Sequence, residues 1–304
     1  MRRYLMAMVL LLAGAVMAGC GGNTGPVPAV NGKFGADPVI TMPTGSPSGQ
    51  LVVQTLIHGN GPAVKQGDYV LFDVQGKVWA GDREVVDSYT NHQPQGLPLA
   101  TAMPAWRQLA GQQVGSRVLM VVPPKDGFGP KGDPAANVQG GDTLVFVFDV
   151  LGTMPVSARA GGTVIPYHPG PDMPTVRSGS PGPVITVPSK AAPPRKLVSQ
   201  VLIRGHGQPI LNGDTVVVQY TGMVWRTGRV FDSSWTRKVP QSFVLGAGQV
   251  IPGWEAGLGG LPVGSRVLLI VPPTLGYGQS GNPPYINSSD TLAFVIDIVA
   301  SIRP

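Results

Sequence analysis

Apolar and polar residues alternate with period two along several short stretches of this 304-residue chain. Val216, Val218 and Tyr220 alternate with Thr215, Val217 and Gln219, and Leu292, Phe294, Ile296 and Ile298 alternate with their neighbours. Successive side chains of a strand point to opposite faces, so this pattern predicts half-buried strands. The continuous apolar run Val267 to Val271, stopped by Pro272-Pro273, predicts a short, fully buried strand. One stretch keeps a different period: Val250-Ile251-Pro252-Gly253-Trp254-Glu255-Ala256-Gly257-Leu258. On a helix, Ile251, Trp254 and Leu258 share a face, and Pro252 suits the first turn, where no amide donor is needed. One short helix on a twisted antiparallel sheet predicts an α+β fold. Taken alone, Trp254 reads as core. Aromatic and apolar residues elsewhere recur at spacings that would wall it, which makes it the floor of a site for a flat apolar ring.

The chain repeats itself. Pro38-Val39-Ile40-Thr41 recurs as Pro183-Val184-Ile185-Thr186, Gly67-Asp68 as Gly213-Asp214, Val114-Gly115-Ser116-Arg117-Val118-Leu119 as Val263 to Leu268, and Asp142-Thr143-Leu144 as Asp290-Thr291-Leu292. Two copies this long are tandem domains, since solenoid periods are ~20–50 residues. The small drift in offset predicts short loop insertions between fixed elements. Residues 38–153 and 183–304 are the expected domains. Residues 21–37, rich in Gly, Pro and Asn, read as a flexible tether. The segment 154–182, with Pro166, Pro169, Pro171 and Pro174, reads as a semi-extended linker.

Composition adds bounds. The chain has 43 Gly and 32 Pro but only 12% charged residues, which favours β-rich modules over helical bundles. Residues 1–20 read as a leader outside the fold: Arg2 and Arg3, then an apolar run from Leu5 to Val16, too short for the ~20 residues that span a bilayer. The leader ends in Val16-Met17-Ala18-Gly19-Cys20, which resembles a bacterial lipobox with Met17 where Leu is commoner. Cys20 is the single cysteine of the chain, which excludes an intramolecular disulfide and points to lipidation. The expected location is therefore extracytoplasmic, lipid-anchored to the cell membrane. The formal charge of +6 includes Arg2 and Arg3, and the rest is scattered, so no nucleic-acid partner is expected. His58, His92, His168 and His206 lack ligand spacing, and no metal site is expected. The G-x-G-x-x-G patterns at Gly127 and Gly276 run into Asp133-Pro134 and Asn282-Pro283-Pro284, so they read as turns, not dinucleotide sites.

Five stretches of the second copy, in order, resemble the FKBP-type peptidyl-prolyl isomerases: Val218-Gln219-Tyr220-Thr221-Gly222, Phe231-Asp232-Ser233-Ser234, Val250-Ile251-Pro252-Gly253-Trp254, Gly276-Tyr277-Gly278 and Thr291-Leu292-Ala293-Phe294. Together they cover nearly all of residues 197–302. The resemblance implies, for each copy, five or six antiparallel strands curled round one short helix. It also implies a proline pocket floored by Trp254, walled by Tyr220, Phe231, Phe243, Val250, Ile251, Ile286 and Phe294, with Asp232, Arg237 and Tyr277 as polar members. Gln241 stands where the family commonly has an aromatic, and Asn282 replaces a frequent His; both departures bear on affinity for macrolide inhibitors.

Rotation about an X-Pro bond is opposed by amide resonance, a barrier of ~18–20 kcal/mol, and breaks no bond. No nucleophile, metal or cofactor is required. A dry apolar pocket favours the twisted, less dipolar amide, and donors that hold its carbonyl help further. The Tyr277 hydroxyl and the Ile251 amide are the expected donors. Tyr220, Asp232 and Arg237 are expected to form a buried polar network, structural or functional in role. In the first copy Trp106, Asp87 and Phe146 stand for Trp254, Asp232 and Phe294, while Val74, Val86, Phe128 and His92 stand for Tyr220, Phe231, Tyr277 and Arg237. That copy is expected to fold without the polar equipment, leaving Asp87 unpartnered and the more exposed of the two aspartates. The expectation is a monomeric isomerase acting on Pro-containing segments of unfolded or exported proteins, catalytic in its second domain. The rival is a non-catalytic chaperone or binding module for such segments.

Overall fold

The computed structural model describes residues 25–188 and 191–303. The leader and Cys20 lie outside the described residues. In the first unit β1 (Ala29–Asn31) and β2 (Val39–Thr41) make a hairpin. There β3 (Val52–Ile57), β4 (Asp68–Val78), β5 (Glu84–Asp87), β6 (Gln95–Pro98), β7 (Arg117–Val122) and β8 (Leu144–Pro155) form a six-stranded sheet, ordered β3-β7-β8-β4-β5 with β6 beside β4. In the second, β9 (Gly162–Val164), β12 (Val198–Gly205), β13 (Thr215–Val224), β14 (Arg229–Ser233), β15 (Gln241–Val244), β16 (Arg266–Val271) and β17 (Leu292–Ile302) form a seven-stranded sheet. Its order is β14-β13-β17-β16-β12-β9, with β15 beside β13. A second hairpin pairs β10 (Thr175–Arg177) with β11 (Val184–Thr186), and two helices, α1 (Ser234–Arg237) and α2 (Pro252–Leu258), complete this unit. The pairings are antiparallel and the sheets stay open.

Alternation along β13 and β17 decides which side chains meet α2. Val216, Val218, Tyr220, Leu292, Phe294, Ile296 and Ile298 share one cluster with Trp254 and Leu258. The opposite face is not open to solvent as half-buried strands would be: every residue of β13 is buried. Met223, Leu268, Ala293 and Val295 pack beneath Ile185 of β11, Tyr167 and Val176, while Val217 packs against Tyr69, Leu71 and Met154 of the first unit.

The segment 154–182 is therefore not a free linker. Gly162–Val164 adds a strand to the edge of β12, which raises the sheet above the five or six strands anticipated. The tether likewise folds from residue 25 onward, since Val27 and Val30 pack with Ile40 on the back of the first sheet. Pro and Gly suggested extended, solvated chain, but the interspersed Val, Ile and Tyr have apolar area to bury. The recurrent Pro-Val-Ile-Thr is explained by this: its isoleucine, Ile40 or Ile185, is the residue each hairpin buries.

The other repeated motifs are structural too. Arg117 forks onto Asp149 with both contacts at 2.7 Å, and Arg266 onto Asp297 at 2.6 and 2.7 Å. Both carboxylates are fully buried. Leaving one partner of such a pair alone costs about 3–5 kcal/mol, so the pairs persist together. Each is sealed by chain lying N-terminal to its own sheet: Gly35 N donates to Asp149 and Ala160 N to Asp297. The glycines Gly129, Gly132, Gly278 and Gly281 take positive φ between 59° and 67° around single 3-10 turns, a turn role and not the opening of a phosphate-binding helix.

Candidate active site

Pro252 at the first position of α2 leaves Ile251 as the N-cap, and the Trp254 amide closes the turn on the Ile251 carbonyl at 2.9 Å. That turn carries the Trp254 indole, 5% exposed, onto the sheet. Three rings stand round it: Tyr220 at 5.0 Å and 82°, Phe294 at 5.3 Å and 86°, and Phe243 of β15 at 5.9 Å and 57°. Near-perpendicular packing sets positive ring edges against negative faces. Phe231 meets Phe294 at 5.7 Å. It gets there through a bulge: Gly222 pairs with Asp232 and Met223 with Val230, leaving Phe231 as the extra residue. Gly222 makes room, because a Cβ there would lie 2.8 Å from the rings of both Phe231 and Phe294. Val250, Ile251 and Ile286 pack against the same cluster.

The polar members gather on one wall. The Tyr220 hydroxyl donates to the Asp232 carboxylate, Arg237 forms an ion pair with Asp232, and Arg237 Nη2 lies 3.4 Å from the Tyr220 oxygen. The network is half-buried, not buried as anticipated: the side chains of Asp232 and Arg237 are 33% and 40% exposed. Lys238, at φ 57°, ends α1 and aims Arg237 back over the Tyr220 ring, 5.7 Å away. Tyr277 sits apart from this network, 37% exposed on the turn between two 3-10 segments. Burial raises its phenol pKa and a hydrogen bond with Asn282 opposes the rise, so at neutral pH it is an O–H donor. The Ile251 amide donates to no acceptor among the described residues. Nor does the buried Trp254 indole N–H have a partner there. No cluster of three or more metal-ligating side chains occurs among the described residues.

Sequence reasoning missed the support beneath Tyr220. Ser234, fully buried, accepts from the Tyr220 amide at 2.7 Å and donates to Gln219 Oε1 at 2.6 Å. Gln219 in turn donates to the Val156 carbonyl at 2.6 Å. Ser88 sits at the same place in the first unit and accepts from the Val74 amide at 2.8 Å.

The first unit departs from its expected correspondence. Gly76, the counterpart of Gly222, pairs with Val86, and Asp87 pairs with Gln75. Thus Val86, not Asp87, occupies the Asp232 position, and Val85 that of Phe231. Asp87 matches Ser233, which caps α1. It is not unpartnered: it accepts from Tyr89 N at 2.8 Å, Thr90 N at 3.2 Å and Thr90 Oγ1 at 2.6 Å. Asp87 and Asp232 are both partly buried. His92, at φ 50°, matches Lys238, which leaves Asn91 where Arg237 stands. Trp106 is packed by Phe72, Phe146 and Phe148 at 5.2 to 5.7 Å. Its helix is a 3-10 segment, Trp106–Leu109, in place of an α-turn. Trp106 and Leu109 are three apart where Trp254 and Leu258 are four apart, and three residues per turn still bring Leu109 onto the core.

Residues 61–151 and 207–299 each match the family described as FKBP-type peptidyl-prolyl cis-trans isomerase. An FK506-binding protein of Streptomyces anulatus is 45% identical over 109 residues, 36% of this chain and 88% of the relative. Peptidyl-prolyl cis-trans isomerase FPR2 of Saccharomyces cerevisiae is 45% identical over 87 residues, 29% of this chain and 64% of the relative. FK506-binding protein 2B of Rhizopus delemar is matched over 44% of its length. Among solved structures, FkpA from Escherichia coli aligns at 35% identity with a TM-score of 0.33, over 42% of this chain and 52% of that one. With the two matched segments spanning more than half of its length, the chain belongs to the FKBP-type peptidyl-prolyl cis-trans isomerase family.

Proposed function

We propose that the second unit catalyses cis-trans isomerisation of X-Pro bonds in exported proteins. The observation that carries this is the Trp254 floor ringed by Tyr220, Phe243 and Phe294 beside an unpartnered Ile251 amide. A pyrrolidine ring laid on the indole is desolvated, and the carbonyl before the proline accepts from the Ile251 amide. Tyr277 lends a second donor from the opposite rim. A twisted amide has lost resonance and is less dipolar, so the dry aromatic floor favours it over the planar ground state, while the two donors hold its carbonyl in the rotated geometry. Each 1.36 kcal/mol of such preference is tenfold in rate. Asp232 and Arg237 hold the Tyr220 ring at its angle to Trp254. Macrolide inhibitors of the kind named in the relatives' descriptions would occupy the same apolar floor.

The first unit serves in this reading as a holding module. Val74, Val86 and Asn91 supply none of the ionic wall, and Phe72 and Phe148 fill the space beneath Trp106. A lipid on Cys20 would place both units outside the cytoplasmic membrane.

The test is a protease-coupled assay of an Ala-Pro peptide on the full chain and on Tyr277→Phe. The variant should keep its circular dichroism and lose about tenfold in kcat/KM, the scale of one hydrogen bond. An inactive, well-folded wild type would leave the binding-module reading in its place.

A further inference from the structure

Between the two units lies a cleft of about 310 Å³, lined by Tyr69 and residues 93–96 of the first and by residues 239–244 and Gln249 of the second. Its walls are two short strands, β6 and β15, one from each sheet. Each is paired on one side, β6 with β4 and β15 with β13. Along the cleft, main-chain groups that no ladder uses are held by glutamine. Gln241 Nε2 donates to the Ser242 carbonyl at 3.0 Å, and the Val244 amide donates to Gln249 Oε1 at 2.8 Å. On the facing wall Gln95 Nε2 donates to the Gln93 carbonyl at 3.0 Å. Ser242 and Val244 are two residues apart, so their main-chain groups face the same edge.

A carboxamide offers the same donor and acceptor as a peptide group. Two of them, Gln241 and Gln249, thus stand where the main chain of a strand added to β15 would bind. Charged side chains are missing from the described lining, and Tyr69 spans the floor: its ring crosses Gly96 and its hydroxyl donates to Ser242 Oγ at 3.0 Å. Phe243, whose ring packs on Trp254, is also among the residues that line this cleft, so one residue of β15 borders both the cleft and the candidate proline pocket.

We propose that the cleft is a second peptide subsite. An extended client segment flanking the proline adds as a strand to the free edge of β15 and displaces the Gln241 and Gln249 carboxamides. Recognition through main chain tolerates many client sequences. The proposal rests on the isomerase reading of the Trp254 pocket, and the experiment separates the two.

The full chain is given an Ala-Pro tetrapeptide and an uncharged, unstructured peptide three times as long with the same Ala-Pro at its centre. Binding is read by anisotropy of a dye on the longer peptide, and turnover is measured for both. The longer peptide should bind about tenfold tighter, the scale of one or two hydrogen bonds. N-methylation of alternate residues beside the proline should abolish that gain, and methylation of the residues between them should not. Val244→Pro, which deletes the edge donor, should bring the longer peptide's affinity down to that of the tetrapeptide. Should that variant misfold, the methylation pattern on the unaltered protein decides alone. Equal affinity for both peptides, or methylation effects without alternation, overturns the subsite while tetrapeptide turnover still upholds the isomerase reading. Alternation without any turnover upholds the subsite and overturns the isomerase.

Discussion

Removing one aspartate from each unit separates a structural carboxylate from a functional one. In Asp87→Ala, two backbone amides and the Thr90 hydroxyl lose their acceptor. That is the loss of a turn cap of the same kind as a helix N-cap, which costs about 1 kcal/mol, and should lower the first unit's Tm by roughly 4 °C. In Asp232→Ala, the Tyr220 hydroxyl and Arg237 lose theirs. With the pair a third or more exposed, the ion pair contributes about 0–1 kcal/mol and the hydrogen bond about 1 kcal/mol. The two variants should therefore look alike in a thermal melt. Turnover tells them apart. Asp232→Ala frees the Tyr220 ring from its angle to Trp254 and should lower kcat/KM about tenfold, or 1.4 kcal/mol, whereas Asp87→Ala should leave it unchanged. The assay is the protease-coupled proline peptide on the full chain, with melts by circular dichroism on the same samples. If Asp87→Ala cuts turnover as deeply as Asp232→Ala, the strand register that places Val86 opposite Gly76 does not govern function.

Trp254→Ala should lose nearly all turnover and about 3–5 kcal/mol of stability, while Trp106→Ala should show a similar stability loss with turnover retained; retained turnover in Trp254→Ala would remove the floor from the mechanism. The hydrogen bond from Arg303 is the chief force holding the Asp214 carboxyl below its ordinary 3.8. A carboxylate with a depressed native pKa adds stability above its unfolded pKa and loses it as pH falls through the native value. The Tm advantage of wild type over Asp214→Asn should therefore be full at pH 7 and shrink below about pH 4, and an advantage constant down to pH 2.5 would contradict the assignment. Cys20→Ala should release the protein from membranes, since a lipid-bearing cysteine anchors where a leader remnant does not; unchanged membrane partition at high salt would count against lipidation.

The strands and the aromatic floor were legible because period two and a lone helical spacing are local signals. The ring set round Trp254 came from the resemblance of the second copy to the family, since the first copy keeps Trp106 and Phe146 but has Val74 in place of Tyr220. Two readings went astray, and one support was missed, for reasons beyond local pattern. The Asp-Ser letters of Val86-Asp87-Ser88 and Phe231-Asp232-Ser233-Ser234 align by eye, yet the pairing to Gly76 and Gly222 moves the match by one residue. The Pro-rich stretches looked like spacers, because which sheet their Val, Ile and Tyr would cover is a tertiary fact. The Ser234–Gln219 support was invisible because a serine announces no partner until the chain brings one within 3 Å.

The tightened turn beneath Trp106 has a consequence for how the two units diverge. The offset between copies steps from 148 at Trp106 and Trp254 to 149 at Leu109 and Leu258, and that step falls inside a helix, not in a loop. A deletion in an α-helix rotates everything after it by about 100°, which would swing Leu109 away from the sheet. Rewinding at three residues per turn cancels the rotation locally, so the tryptophan and leucine keep their seats. Winding number thus acts here as a length buffer. Chain can be lost at the floor of the pocket without disturbing the floor, and aligning the copies residue for residue through this point misassigns every position between the two anchors.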